Sequence, residues 1–414
     1  MNNFRNYLEM AVKSLMRQKS RTILTIIALS IGIALLIIML AAGQGLRALV
    51  MTQLDIYNPN TISIEVKVPG KGNVSSATSM AQGNNITTFK NKDVEAIRKL
   101  PNVKDLFSYV TGQQVFKYKN ENQTVIIYGY GASAVNLQKI EMSQGRFYTT
   151  EEEEALDEVI VLGSKVKDNL FGDQEAIGQN VYTKGVAFKV VGVVKSQGAG
   201  GFVDLDSIAY IPTKTMQKRF LGTDYVIGAL VEVIDPNKID QTKDDIRILM
   251  EDRHNITNPD QDDFQITTMA EARAMIDTIL SGITLLLIAL TLISLVVGGV
   301  GITNIMYVSV IERTFEIGLR RAVGAKRQDI LWQFLSEAII LTFFGGVFGI
   351  LIGSGIAFLI YYVATIFGLA WSYSVSVFSI ILALLFSSSL GFIFGVFPAR
   401  KAAELDPIVA IRKE

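Results

Sequence analysis

From Ala338 to Ala399 the chain runs 62 residues without one charged side chain. A helix crosses the hydrocarbon of a bilayer in about 20 apolar residues, so this run suits two crossings and a turn between them. Two shorter uncharged runs, Thr22–Ala42 and Thr278–Ile311, suit one crossing each. Lipid offers no partner for a backbone N–H or C=O, so every run must satisfy its own hydrogen bonds as a helix. The chain therefore reads as an α-helical membrane protein with four transmembrane helices, and a mean hydropathy of +0.34 agrees. The turn in the longest run is expected at Gly368–Tyr373, with Trp371 and Tyr373 at the interface. Basic residues precede the first run as they do in a secretory signal, but its apolar stretch is too long for one, and it is expected to stay in the mature protein.

Composition removes several function classes. Lys and Arg total 39 against 39 Asp and Glu, which leaves no electrostatic basis for binding nucleic acid. With no cysteine there is no disulfide framework, thiolate nucleophile or Cys-ligated metal, and the single His254 excludes a two-His metal site within one chain. No catalytic, cofactor or metal constellation is read anywhere. The acidic run Glu151–Glu154 is expected to be a solvated turn, Gly198–Gly201 a hairpin, and His254 an exposed surface group.

Orientation follows from where basic residues flank the spans. Residues 1–21, the link 312–330 and the tail after Ala399, with Glu337 at the start of the third run, hold 14 basic and 8 acidic residues. The remaining 25 basic and 31 acidic residues lie between the first two spans. Both termini are thus expected on the cytoplasmic side, with one large domain outside. The expected organisation is an amphipathic N-terminal helix (1–21), a first span (22–45), an extracytoplasmic domain (46–267), a second span with an outward stalk (268–311), and a cytoplasmic coupling element (312–330). A third span (331–367), an outside turn (368–374), a fourth span (375–398) and a cytoplasmic tail (399–414) complete it.

Within the large domain, Thr61–Val68 alternates strictly, with Ile62, Ile64, Val66 and Val68 on one face, which is the pattern of a half-buried strand. Pro69–Thr88 has no hydrophobic period and reads as a loop. Strands are predicted at Thr124–Tyr128, Glu158–Leu162, Val186–Val194 and Val226–Val233, and helices around Val94–Leu100 and over Lys238–Arg253. Strands and helices alternate along the chain, so a mixed α/β domain is expected, with 142–222 as an inserted subdomain. Thr268-Met-Ala-Glu271 is a capping box that opens a helix ahead of the second uncharged run. No proline follows until after Ile311, so either one helix of about 66 Å or a helix broken at Gly298–Gly299 is expected.

Small residues recur four apart in the spans: Ala28 and Gly32, Gly345, Gly349 and Gly353, and Gly391 and Gly395. They are candidates for close helix packing. No Asp, Glu, Lys, Arg or His lies within any of these runs, although polar transport paths normally place such groups inside the bundle. Whatever is handled is therefore expected to be handled outside the membrane.

The link after the second span reads Glu312-Arg313 through Glu316-Ile317-Gly318 to Ala322-Val-Gly324-Ala325, followed by Ile330-Leu-Trp-Gln-Phe-Leu-Ser-Glu337. The tail reads Pro398-Ala-Arg-Lys-Ala-Ala-Glu-Leu-Asp406-Pro407 through Ala410-Ile-Arg412. In these segments, and in Val161-Leu-Gly163, Leu170-Phe-Gly172, Ile177-Gly178, Val190-Val-Gly-Val193 and Ile211-Pro212, the chain resembles the permease subunits of the MacB/FtsX-like ABC transporter superfamily. The resemblance covers nearly the whole chain. It implies a permease homodimer in the cytoplasmic membrane of a prokaryote that docks two copies of an ATP-binding subunit. ATP-driven closure would be passed through the stalk to the outside domain, a mode called mechanotransmission. It also implies that Arg313, Glu316, Ile317, Gly318, Arg320, Arg321, Ala322, Gly324 and Ala325 form the docking element.

Some members of the family carry a nucleotide-binding domain ahead of the first span. Here only 21 residues precede it, and G-x-x-x-x-G-K-[ST] is absent: Gly70-Lys71 is followed by Gly72, and residue 65 is Glu. ATP and Mg are expected in a separate ATPase chain, this chain being non-catalytic. Export by a split MacB-type transporter, with an extracytoplasmic adaptor as a further partner, is the leading expectation. The alternatives are an FtsX-like regulator of a cell-wall hydrolase and a lipoprotein-releasing permease.

Overall fold

The computed structural model describes residues 19–54, 58–70, 86–196, 204–369 and 371–412. The predicted N-terminal amphipathic helix, all but its last residues, most of the Pro69–Thr88 loop and the Gly198–Gly201 hairpin lie outside the described residues. The chain divides into two compact units, Val50–Asp277 and the combination of Met1–Leu49 with Thr278–Glu414.

The first unit is built on one ten-stranded mixed sheet. Its strands are β1 Thr61–Val66, β2 Val103–Tyr118, β3 Glu121–Tyr130, β4 Met142–Gly145, β5 Val159–Leu162, β6 Asn180–Thr183, β7 Val186–Val194, β8 Ile208–Pro212, β9 Gly228–Val233 and β10 Phe264–Thr268. They lie in the order β10-β1-β9-β2-β3-β8-β5-β7-β4, and β6 pairs with β2 and β7. Alternation in β1 has the consequence it should: Ile62, Ile64 and Val66 are buried in the main core. The strand ends at Val66, two residues short of the alternating pattern. Helices Asn91–Ile97 and Ile239–His254 add Val94, Ile97, Ile246 and Met250 to that core, beside Phe89, Phe116, Phe188 and Phe264.

Residues 142–212 supply β4 to β8, which form one end of the same sheet. They join the other half through the parallel β3–β8 pairing and through β6 against β2. Tyr148, fully covered, pins this joint: its hydroxyl lies 2.9 Å from the Tyr130 carbonyl and 3.0 Å from that of Ile211. Burial, with the Glu153 charge adding to it, pushes the Tyr148 hydroxyl's pKa well above the ordinary tyrosine value.

Two expectations are corrected here. Glu151–Glu154 is a short helix, Thr150–Glu154, opened by a capping box from Thr149. Its side chains are committed: Glu152 pairs with Arg146 at 2.7 Å, and Glu153 accepts the Ala132 N–H at 2.8 Å. Desolvation raises the Glu153 pKa, which backbone hydrogen bonding only partly offsets. His254 is not a surface group, because its side chain is 7% exposed. It ends helix Ile239–His254 with Nδ1 2.8 Å from Asp263 and Nε2 3.5 Å from Asp93, while Arg253 donates to the same Asp93 at 2.6 Å. The hydrogen bond to Asp263 raises the His254 pKa above the ordinary value, against the desolvation that lowers it. Burial works against ionisation of Asp263, yet hydrogen bonds from His254 and Thr88 outweigh it and hold that carboxyl below its usual pKa.

The second unit carries the helices long and apolar enough to cross a membrane. Four are found among the described residues: Thr22–Thr52, Met269–Glu312, Arg327–Ile366 and Val377–Ala403. The Thr268 hydroxyl accepts the Glu271 N–H at 3.1 Å, and Glu271 accepts the Thr268 N–H at 3.0 Å, so the capping box starts the second helix. That helix continues for 44 residues, with no break at Gly298–Gly299.

Packing between these helices falls on the small residues. A Cβ at Gly345 would stand 2.8 Å from Leu29 Cβ, one at Gly349 2.7 Å from Ile33 Cβ, and one at Gly353 2.9 Å from both Ile37 Cβ and the Ala34 carbonyl. Rows of residues four apart thus interlock between the first and third helices. On the fourth helix a Cβ at Gly391 would stand 3.0 Å from the Ala338 carbonyl oxygen, and one at Gly395 2.5 Å from Ala338 Cβ. Gly32 does this against Leu295 of the second helix at 2.7 Å, whereas Ala28 is exposed and takes no part.

Candidate functional site

The link between the second and third long helices is a short helix, Thr314–Ala322. Arg313 caps its start through backbone geometry alone. At its end Gly324 adopts φ +109°, a conformation that L side chains avoid, and the Gly324 and Ala325 N–H groups bond back to the Arg321 and Arg320 carbonyls. The chain then turns straight into the third helix, where Asp329 accepts the Lys326 N–H at 2.8 Å.

One side of the link helix is latched down. Ile317 is buried, and Gly318 packs so closely on the C-terminal helix Pro407–Arg412 that a Cβ would lie 2.7 Å from Ala410 Cβ. Three arginines hold it from three directions. Arg313 reaches both carboxylate oxygens of the buried Glu337 at 3.2 and 3.3 Å, Arg320 donates to the Gln333 side chain at 2.6 Å, and Arg321 donates to the Ala403 carbonyl at 2.6 Å. Arg320 also pairs with Glu316 at 2.7 Å, one turn away on the same helix. Charged Arg–carboxylate contacts with one partner buried are positional clamps, because removing either partner strands the other.

The other side is open and apolar. Phe315, Leu319 and Val323 follow one another at intervals of four, so they form a single stripe, and they are 52%, 50% and 83% exposed. Ile408 and Val409 of the C-terminal helix are exposed as well.

The nine residues read from the sequence as a docking element thus separate into three groups. Arg313, Glu316, Arg320 and Arg321 are engaged within the chain. Ile317 and Gly318 are buried and Ala325 is half-buried, which leaves Ala322 and Gly324 exposed. Phe315 and Val323 went unread. Their signal was present, since 315, 319 and 323 repeat at helical spacing opposite Ile317 and Arg321. Among the described residues no group of His, Asp or Glu is arranged to hold a metal.

A family profile described as the MacB-like periplasmic core domain matches residues 22–249, and one described as the FtsX-like permease C-terminal domain matches residues 280–407. The chain belongs to the MacB/FtsX-like family of ABC transporter permeases. As such a permease it is similar over 412 residues, at 35% identity, to the macrolide export ATP-binding/permease protein MacB of Bdellovibrio bacteriovorus. It is 36% identical over 413 residues to the protein of the same name from Chlorobium luteolum. These matches take in 99% of this permease and 62% and 60% of the relatives, so the chain spans about three fifths of their length. Among solved structures, the periplasmic region of MacB from Actinobacillus actinomycetemcomitans overlaps 54% of this chain and 95% of its own. That overlap has 19% identity and a TM-score of 0.46, too loose to add to the family match.

Proposed function

We propose that this permease is the membrane subunit of a split MacB-type transporter. In this reading a separate ATPase binds and hydrolyses ATP, and the permease converts that cycle into rearrangement of its core domain to drive export. The 414 residues hold no G-x-x-x-x-G-K-[ST], so the nucleotide site lies outside them. Both termini and the link helix face the cytoplasm, where the basic residues concentrate, and two permeases assemble with two ATPase subunits.

The observation that carries the reading is the two-sided link helix. A helix clamped by three arginines and exposing a three-residue apolar stripe is built to receive a partner and to pass on its movement. Stripes of large exposed apolar side chains mark protein interfaces, and a few such anchors dominate the binding energy.

Co-purification of the full chain with its ATPase, together with ATP turnover by the complex, tests this. Leu319→Glu and Phe315→Glu are expected to reduce both at least tenfold, in line with about 2 kcal/mol or more for an interface anchor. Undiminished complex and turnover in these variants would overturn the assignment.

A further inference from the structure

Between helix Ile239–His254 and β10 lies a loop whose second half reads Pro259-Asp-Gln-Asp-Asp263. So acidic a segment is expected to stay in water, yet here it is fastened down. The Lys67 N–H donates to the Asp263 carbonyl at 2.8 Å and the Gly70 N–H to the Asp260 carbonyl at 3.2 Å. Asp260 remains exposed, whereas Asp262 and Asp263 are left only 6% and 7% exposed.

Two neighbouring acids thus enter the interior together and meet different surroundings. Asp263 has donors, since His254 Nδ1 lies 2.8 Å away and the Thr88 hydroxyl bonds to it as well. Asp262 lacks them: its Oδ1 is sealed from solvent with no hydrogen-bond partner among the described residues. Glu251 precedes His254 by one helical turn and shares its face, so it meets Asp262 much as His254 meets Asp263. Its Oε1 is also sealed and without a hydrogen-bond partner among the described residues.

The other charges acting on Asp262 are Arg247 from the same helix, Lys67 from the segment after β1, and Asp263 beside it. Arg247 is engaged by Asp244 at 3.0 Å. Beyond Asp263 stand His254, Arg253 and Asp93, tied to one another. Burial raises the Asp262 pKa above the ordinary aspartate value, and the Glu251 charge adds to this, with Lys67 and Arg247 offsetting only part.

Two carboxylates are acceptors only, so neither can satisfy the other in a dry site. One proton resolves this, because it removes a charge and lets one carboxyl donate to the other. Such a proton belongs to the pair rather than to either residue.

We propose that Glu251 and Asp262 hold one exchangeable proton between them, and that this proton locks the loop Asn255–Asp263 onto the end of helix Ile239–His254. Acid closes the lock. When the proton leaves, two buried anions repel and admit water, and the loop that positions the start of β10 loosens. β10 passes into the second long helix without a linker, so the lock bears on the part of the core domain from which that helix starts. In the orientation given above, the proton comes from the extracytoplasmic side. A carboxyl whose folded pKa is raised contributes stability that is complete below the ordinary aspartate value and is lost as pH rises through the folded one.

The test is hydrogen exchange of the full chain in lipid nanodiscs, read by mass spectrometry over peptides spanning residues 249–264. Rates from about pH 4.5 to about pH 6.0 are corrected for intrinsic pH dependence; this window lies above the titration of Asp263 and below the interval that His254 commands. Protection in the wild-type chain is expected to fall at least twofold across it. Asp262→Asn, whose amide donates to Glu251 at every pH, is expected to keep the acid-form protection throughout. Glu251→Gln, whose amide donates to Asp262, should likewise flatten the profile.

A flat wild-type profile overturns the proposal, as does a full slope in either variant with the loop still protected. Protection restored at the upper pH by millimolar calcium chloride in the wild type, and not in Asp262→Asn, also overturns it, since the pair would then be a cation site. If Asp262→Asn exchanges fast at every pH because the loop has come undone, Glu251→Gln decides: a flat profile supports the proposal and a sloped one overturns it.

Discussion

In the core domain the hydrophobic core is built of large residues: Ile62, Ile64 and Val66 alternate along β1 and are buried in one cluster with phenylalanines. In the span bundle the contacts fall on the smallest residues, Gly345, Gly349 and Gly353, and large apolar side chains such as Leu285 and Val297 face outward. The difference follows from the solvent. Against water, removing apolar area stabilises by roughly 25 cal/mol per Å², so size is an advantage inside. Against lipid a leucine gains little by leaving the surface, and close approach of two helices contributes more. The same twenty side chains therefore follow opposite rules in the two units.

The contrast can be broken most directly by the same three-carbon truncation made in both places. Ile64→Ala is expected to cost about 2–5 kcal/mol, read as faster hydrogen exchange of the β1 and β9 amides in the full chain. Leu285→Ala, a truncation of similar size on an outward-facing position, should stay within about 0.5 kcal/mol in the same measurement. Equal losses at the two positions would show that one packing rule serves both units.

Adding a methyl sharpens the contrast from the other side. Gly349→Ala should destabilise the helix bundle by about 1–3 kcal/mol through overpacking on Ile33 and the Ser30 carbonyl, seen as a lower midpoint when the chain is unfolded in mixed micelles. Gly355→Ala, where a Cβ meets nothing within 4 Å, is the matched control and should be silent.

The smallest effect separates the units by pH. His254 has its pKa raised in the folded core domain, so the stability it contributes is complete below the ordinary histidine value and is lost as pH rises through the folded one. Protection of the β10 amides should decline across that interval with a slope under about 1.4 kcal/mol per pH unit, the ceiling for one proton. The slope should vanish in His254→Asn, while the span bundle shows none in either chain. Asp93 and Asp263 flank the imidazole, and Arg253 pairs with the same Asp93.

What could be read from the amino acids alone tracks how local each determinant is. The spans were legible because a charge in hydrocarbon is costly wherever the rest of the chain goes, and the capping box at Thr268 because both of its partners lie within one turn. β1 was legible from its strict alternation. β2 was not: its 16 residues include Lys104, Asp105, Gly112, Gln113 and Gln114, and its length comes from pairing with β3, β6 and β9. The burial of His254 depends on Asp93, far away in the chain, and nothing in Arg-His-Asn signals it. On the link helix the arginines looked like contacts for a partner because their own acceptors, Glu337, Gln333 and Ala403, belong to other helices.

Thr268 closes β10, an edge strand of the sheet, and Met269 opens the second long helix with no residue between them. Lys243 pairs with Glu271 across that joint. A junction with zero linker length has no play: the first turn of the helix cannot swivel without dragging the hem of the sheet, and a protease has no slack cord to cut there.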